Sequence, residues 1–108
     1  MNLFDLPGLP SQEELATTIH EDDLVRVERI ISTGQTTDWL SQTEAEFVAL
    51  LQGNAEIEYG DGSKAQLSAG DTLVIEPFQR HRVTYTSTIP PCIWLCLFWH
   101  PIGQSTIA

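Results

Sequence analysis

Residues 55–77 read AEIEYGDGSKAQLSAGDTLVIEP, and their pattern decides the fold class. Ala55, Ile57 and Tyr59 alternate with Glu56 and Glu58, the period of two that gives a strand one apolar and one wet face. Gly60-Asp61-Gly62-Ser63 reads as a hairpin turn, residues 64–67 return, and Ser68-Ala69-Gly70-Asp71 turns again. A β-branched and apolar run then extends over 72–76 until Pro77 stops it.

The same rhythm continues in both directions. Towards the amino terminus, residues 46–51 form a strand candidate before the Gly53-Asn54 turn, and Val25 and Val27 oppose Arg26 and Glu28. Towards the carboxyl terminus, His81, Val83 and Tyr85 alternate with Arg82, Thr84 and Thr86, and Pro90-Pro91 introduce a last strand over 92–99. Short strands with turns at this spacing leave no room for crossover helices, which predicts an all-β, antiparallel sandwich or barrel. The last strand is apolar on both faces, with Cys92, Trp94, Cys96 and Phe98 on one and Ile93, Leu95, Leu97 and Trp99 on the other. Such a strand is central or covered. Because antiparallel sheets usually keep one solvated face, a homodimer over this strand is expected, with an N-terminal helix as the other possible cover.

Upstream, residues 1–10 hold Pro7, Gly8 and Pro10 and read as an irregular arm. Ser11 and Glu14 have the spacing of a capping box, and Leu15 and Ile19 fall on one face of the short N-terminal helix that this predicts. Glu21-Asp22-Asp23 would oppose its dipole and end it near His20. The expected organisation is a single domain, with arm and helix over 1–23 and the barrel over 24–108.

With 108 residues and 42% hydrophobic side chains, the chain can bury one core without a disulfide scaffold. Fifteen acidic against five basic residues give a net charge of -10 with no Lys/Arg cluster, which argues against nucleic acid and anionic membranes as partners. Cys92 and Cys96 suit neither a disulfide framework nor a zinc ribbon and read as reduced, buried thiols. The first residues lack the positive segment and long apolar core of a secretory signal, and the longest apolar run, 92–99, is far short of the roughly 20 residues that span a bilayer. A cytoplasmic location is the expectation.

Gly34, Glu46 and Gly53 carry further information through their spacing. Gly34 is followed after five residues by Leu40, Ser41 and Gln42, then after three by Glu46 and after six by Gly53. This resembles the first signature of the cupin superfamily, G-x5-H-x-H-x3-E-x6-G. Residues 70–85 resemble the second, G-x5-P-x-G-x2-H-x3-N: Gly70 and His81 hold their places, while Glu76, Phe78 and Tyr85 stand at the proline, glycine and asparagine positions. Trp39, Gln42, Glu46 and Phe47, with the run from Gly70 to Val83, are similar to small single-domain cupins. The resemblance implies an antiparallel jelly-roll β-barrel.

In metal-binding cupins the two histidines and glutamate of the first signature and the histidine of the second converge on one divalent ion, so the resemblance implies a possible Ni, Mn, Fe or Zn site. This chain departs from that pattern, because Leu40 cannot ligate and Gln42 offers only a neutral amide. Glu46, His81 and Gln42 are the metal candidates. Two readings of function stay open. In the first, without metal, Gln42, Glu46 and His81 either hydrogen-bond one another in a purely structural cluster or orient a small polar ligand in the lumen against Val83, Tyr85 and Trp94. In the second, a metal-dependent oxygenase, sugar isomerase or lyase uses Glu46 and His81. His100 could complete a metal site if the last strand bends inward at Pro101, although its place favours the surface. His20 is expected in solvent, Trp39 in core, interface or pocket mouth, and Arg80 and Arg82 facing away from His81. No nucleophile elbow, phosphate loop or zinc-protease helix appears.

Overall fold

The computed structural model describes residues 1–102. Eight strands follow one another: β1 (Leu15–Glu21), β2 (Val25–Ser32), β3 (Ala45–Gln52), β4 (Asn54–Tyr59), β5 (Lys64–Ser68), β6 (Thr72–Ile75), β7 (His81–Thr86) and β8 (Cys92–Trp99). They build a five-stranded sheet in the order β1-β2-β8-β3-β6 and a three-stranded sheet in the order β5-β4-β7, with every pairing antiparallel. The two sheets face each other as a jelly-roll barrel. Residues 103–108, the end of the barrel domain expected over 24–108, lie outside the described residues.

Strand β8 is apolar on both faces because it is central, paired with β2 on one side and β3 on the other. Its inward residues Cys92, Trp94, Cys96 and Phe98 join Val48, Leu50, Ala55, Ile57, Leu67 and Ile75 in the core between the sheets. Outward, Ile93 is fully buried, whereas Leu95, Leu97 and Trp99 are half-buried. The amino-terminal arm reaches this outer face: the Leu3 and Asp5 carbonyls accept hydrogen bonds from the buried Arg29 guanidinium of β2. Both cysteines are buried free thiols.

The expected N-terminal helix does not form, and its residues instead make edge strand β1. Thr17, Thr18 and Ile19 are consecutive β-branched side chains, stiff in a helix and at ease in a strand. Pairing with β2, from Leu15 opposite Ile31 to Glu21 opposite Arg26, satisfies their backbone through the sheet. The capping box is undone in the same step. Glu14 does not turn back to cap Ser11 but accepts a hydrogen bond from Ser32 Oγ at 2.8 Å, and the Ser11 carbonyl binds the Gln35 amide at 2.8 Å.

The turns hold the sheets together where the backbone is most constrained. Gly53, between β3 and β4, has a φ of +92°, and a Cβ there would lie 2.8 Å from Ser87 Oγ and 2.9 Å from Cys92 Sγ. Only glycine meets both demands.

Candidate functional site

Alternation along β3 and β8 and the β6 register set the inner wall of the barrel. Glu46 lies opposite Phe98 and Ile75, and Val48 lies opposite Cys96 and Leu73, so all these side chains face inward. His81 begins β7 on the facing sheet and is paired with Leu40, whose N–H donates to the His81 carbonyl at 2.7 Å and whose carbonyl accepts from the His81 N–H at 3.0 Å. The two signature segments are thereby clipped together at one end of the barrel.

A cavity of about 90 Å³ opens there, several times what one water needs. Its wall is mainly apolar, from Ile30, Val48, Ile57, Ile75, Val83 and Trp94, with Leu40 at the mouth. Glu14, Thr37, Glu46, His81 and Cys96 supply its polar groups. Glu46 is 9% exposed and His81 3%. Gln42 Nε2 donates to Glu46 Oε1 at 3.0 Å. Burial pushes the Glu46 carboxyl above its ordinary range, against the opposing pull of Gln42, His81 and Cys96. The Cys96 thiol is pushed far up by burial and by the neighbouring Glu46, so it stays protonated. His81 Nδ1 lies 2.8 Å from the Gln79 carbonyl. Since a carbonyl only accepts, Nδ1 carries the hydrogen, and in the neutral ring Nε2 presents its lone pair.

The structure thus brings together Gln42, Glu46, His81, Val83 and Trp94. It does not bring Tyr85, which is 53% exposed and outside the cavity. The reason is a β-bulge. Ile57 pairs with Val83 but Glu56 pairs with Tyr85, so Thr84 is an extra residue that reverses the alternation, turning Tyr85 outward and Thr86 inward. His100 is exposed at the end of β8 beside Glu21, Asp22 and Arg26, away from the cavity. His20 is exposed and bonded to Asp22 at 2.9 Å. Trp39 lies outside the cavity wall with the Arg80 and Arg82 guanidinium groups stacked on it, 4.2 and 4.3 Å from its centroid, and Arg82 also pairs with Glu58 at 2.6 Å.

Sequence reasoning missed Glu14. A hydrogen-bonded chain runs from Trp94 Nε1 to Ser32 Oγ at 3.0 Å and on to Glu14 Oε2 at 2.8 Å, holding this carboxylate at the cavity wall. Leu15 opposite Ile31 places Glu14 beside Ser32 on the inner face, so reading 15–21 as a strand would have found it. Phe78 was read as standing at a signature glycine. It adopts φ +62°, the left-handed conformation that glycine takes without strain, and its N–H donates to the Gln42 carbonyl at 2.7 Å.

The cupin domain family (Cupin_2) matches residues 27–98, and the chain belongs to the cupin superfamily. Among solved structures, a proposed mannose-6-phosphate isomerase from Ralstonia eutropha JMP134 is similar to this chain with a TM-score of 0.88 at 30% identity, covering 94% of this chain and 97% of that one. A cupin superfamily protein from Desulfitobacterium hafniense DCB-2 gives a TM-score of 0.76 at 17% identity, covering 88% and 84%. KdgF from Halomonas sp. gives 0.72 at 17% identity, covering 84% and 83%. The last two likenesses show the fold alone. No curated protein matches the chain. No helix among the described residues is long and apolar enough to cross a membrane.

The donor set does not fit the divalent metal that many cupins hold. Leu40 and Gln42 stand where the first signature has histidines, and Gln42 turns its N–H, not its carbonyl, to Glu46. Cys96 is held as a thiol, and the described residues contain no group of three or more His, Cys, Asp or Glu side chains placed to hold a metal. Glu46 and His81 alone are two strong ligands, short of the three or four protein donors of firm transition-metal sites.

Proposed function

We propose that this chain is a small-molecule-binding cupin whose lumen takes a ligand with an apolar body and a polar end, the polar end reaching Glu46 and His81. The observation that carries this is His81: a 97%-buried imidazole, oriented through Nδ1 by the Gln79 carbonyl, whose Nε2 lies at an open cavity with no partner from the described residues. An imidazole held in one orientation beside a mostly apolar wall offers a ligand a fixed hydrogen-bonding partner, and a bond made there is stronger than one made in open water. Glu46 beside it, linked to Gln42, offers a second oriented acceptor.

A phosphorylated sugar, the substrate class suggested for the Ralstonia protein, suits this lumen poorly. The cavity wall holds two carboxylates and neither Lys nor Arg, so a phosphate would meet repulsion with only the His81 imidazole to set against it. Screening small polar compounds by thermal shift tests the proposal. Hits are expected with the native chain and are expected to vanish when Val83→Trp fills the lumen. A library without hits, or hits indifferent to Val83→Trp, would remove the reading.

We also propose that a second copy covers the outer face of the five-stranded sheet. Val27, Phe47, Leu95 and Leu97 are half-buried there beside Val74, which is 46% exposed. Sedimentation velocity at micromolar concentration is expected to show a dimer, and a monomer throughout would end this proposal.

A further inference from the structure

The cavity's hydrogen-bonding groups are unevenly used. Its stronger donors are spent inside the protein, the Trp94 indole N–H on Ser32 and the His81 Nδ1–H on Gln79, while the protonated Cys96 thiol is a weak donor. The Gln42 amide beside the cavity also gives an N–H to Glu46. Among the described lining residues, the Thr37 hydroxyl, besides the weak Cys96 thiol, keeps a hydrogen without a protein acceptor, its oxygen already accepting from the Val83 N–H at 2.9 Å. Acceptors are what remain. His81 Nε2 is bare, Glu46 is bonded through Oε1 to Gln42, and Glu14 is bonded through Oε2 to Ser32, which leaves each carboxylate further lone pairs.

Charge points the same way. Glu14 and Glu46 line the cavity with no Lys or Arg beside them, and His81 is its one basic group among the described residues. Arg26, inward-facing on β2, is committed elsewhere, with Nε on Glu28 at 2.7 Å and its two terminal nitrogens on Glu44 at 3.0 and 3.1 Å. Arg80 and Arg82 lie on Trp39 outside the wall. Resting on the lumen reading above, we infer that the ligand is a small organic cation, a primary or secondary ammonium on an apolar body of a few carbons. Its N–H groups go to Glu46 and His81 Nε2, and Glu14 supplies a second negative charge at the rim. The apolar wall receives the carbon skeleton. The burial that raises the Glu46 carboxyl is what a bound cation would offset, since an opposite charge at this distance favours the ionised acid.

Three probes of one shape separate the possibilities: isobutylammonium, isobutanol and isobutyrate, titrated at pH 7.5 while NMR follows the His81 ring and the Trp94 indole. Isobutylammonium is expected to bind at least about tenfold more tightly than the other two. Glu14→Gln, at the exposed rim where folding is not at stake, is expected to weaken the ammonium several-fold and leave isobutanol unchanged. Glu46→Gln, checked for a native melting transition, is expected to abolish the preference. If isobutanol or isobutyrate binds in the lumen as tightly as the ammonium, or if Glu14→Gln leaves the ammonium affinity unaltered, the cation assignment falls and the ligand-binding reading stands. If none of the three perturbs either residue at up to 0.1 M, a range that includes millimolar and weaker affinities, both fall.

Discussion

Replacing Ser32 by alanine probes the support beneath the cavity. Ser32 has no exposed surface, and its hydroxyl both accepts the Trp94 indole hydrogen at 3.0 Å and donates to Glu14 at 2.8 Å. Alanine fits the space, so the cost is one of polarity. Trp94 is 4% exposed, and its N–H would be left buried without an acceptor, which costs about 1–3 kcal/mol. The freed Glu14 adds little, because that residue is exposed and can hydrate. A loss of about 1–3 kcal/mol is therefore expected in urea unfolding followed by tryptophan fluorescence. The double-mutant cycle with Trp94→Phe isolates the cause: once the indole N–H is gone, Ser32→Ala should cost at least about 1 kcal/mol less than in the native background. A coupling energy within about 0.3 kcal/mol of zero would refute the hydrogen-bond argument.

Gly53→Ala is expected to destabilise by about 2–5 kcal/mol, from left-handed strain and close contacts with Ser87 and Cys92, whereas Gly70→Ala, at φ +94° with nothing within 4 Å, should cost only about 1–2 kcal/mol; equal effects in thermal melts would contradict the packing argument. At position 78, in the turn between β6 and β7, glycine should be more stable than alanine by about 1 kcal/mol because φ there is +62°; chemical denaturation of the two variants decides. The raised Glu46 carboxyl means that the folded chain holds this proton more tightly than the unfolded chain, so its contribution favours folding below about pH 4.5 and is lost as pH rises through the folded value. The stability of Glu46→Gln relative to the native chain should accordingly increase as pH rises from about 4.5 towards 7, and a flat difference would count against the burial argument. Dialysis against Ni, Mn, Fe(II) and Zn should leave well under one metal per chain by elemental analysis, and a stoichiometric metal lost in His81→Ala would overturn the donor-set argument.

Much of the fold was legible because a barrel of short antiparallel strands writes its period directly into the chain. Alternation at Ala55, Ile57 and Tyr59, the glycine turns and the doubly apolar last strand all reappear, the last as the central strand β8. The site was legible to the extent that Glu46 and His81 kept cupin spacing, whereas the Gln42 contact with Glu46 is made across the bend at residues 43–44 that precedes β3. The N-terminal helix was misread because capping signals are local, while the choice of strand rested on the open edge of β2, whose paired residues lie 5 to 16 positions away in the chain. Tyr85 was misplaced because one extra residue at Thr84 reverses every later side chain, and a bulge leaves no mark in a pattern of alternating residues.

The sequence by itself determined the all-β class, the cupin resemblance and the absence of the first-signature histidines, since each depends only on residue type and spacing along the chain. Only the tertiary structure decided which polar atoms around the lumen remain free. That depends on partners distant in sequence, Trp94 with Ser32 and Ser32 with Glu14, brought together by sheet register. Register is a collective property of the paired strands, so the character of the pocket emerges only when they close into a barrel.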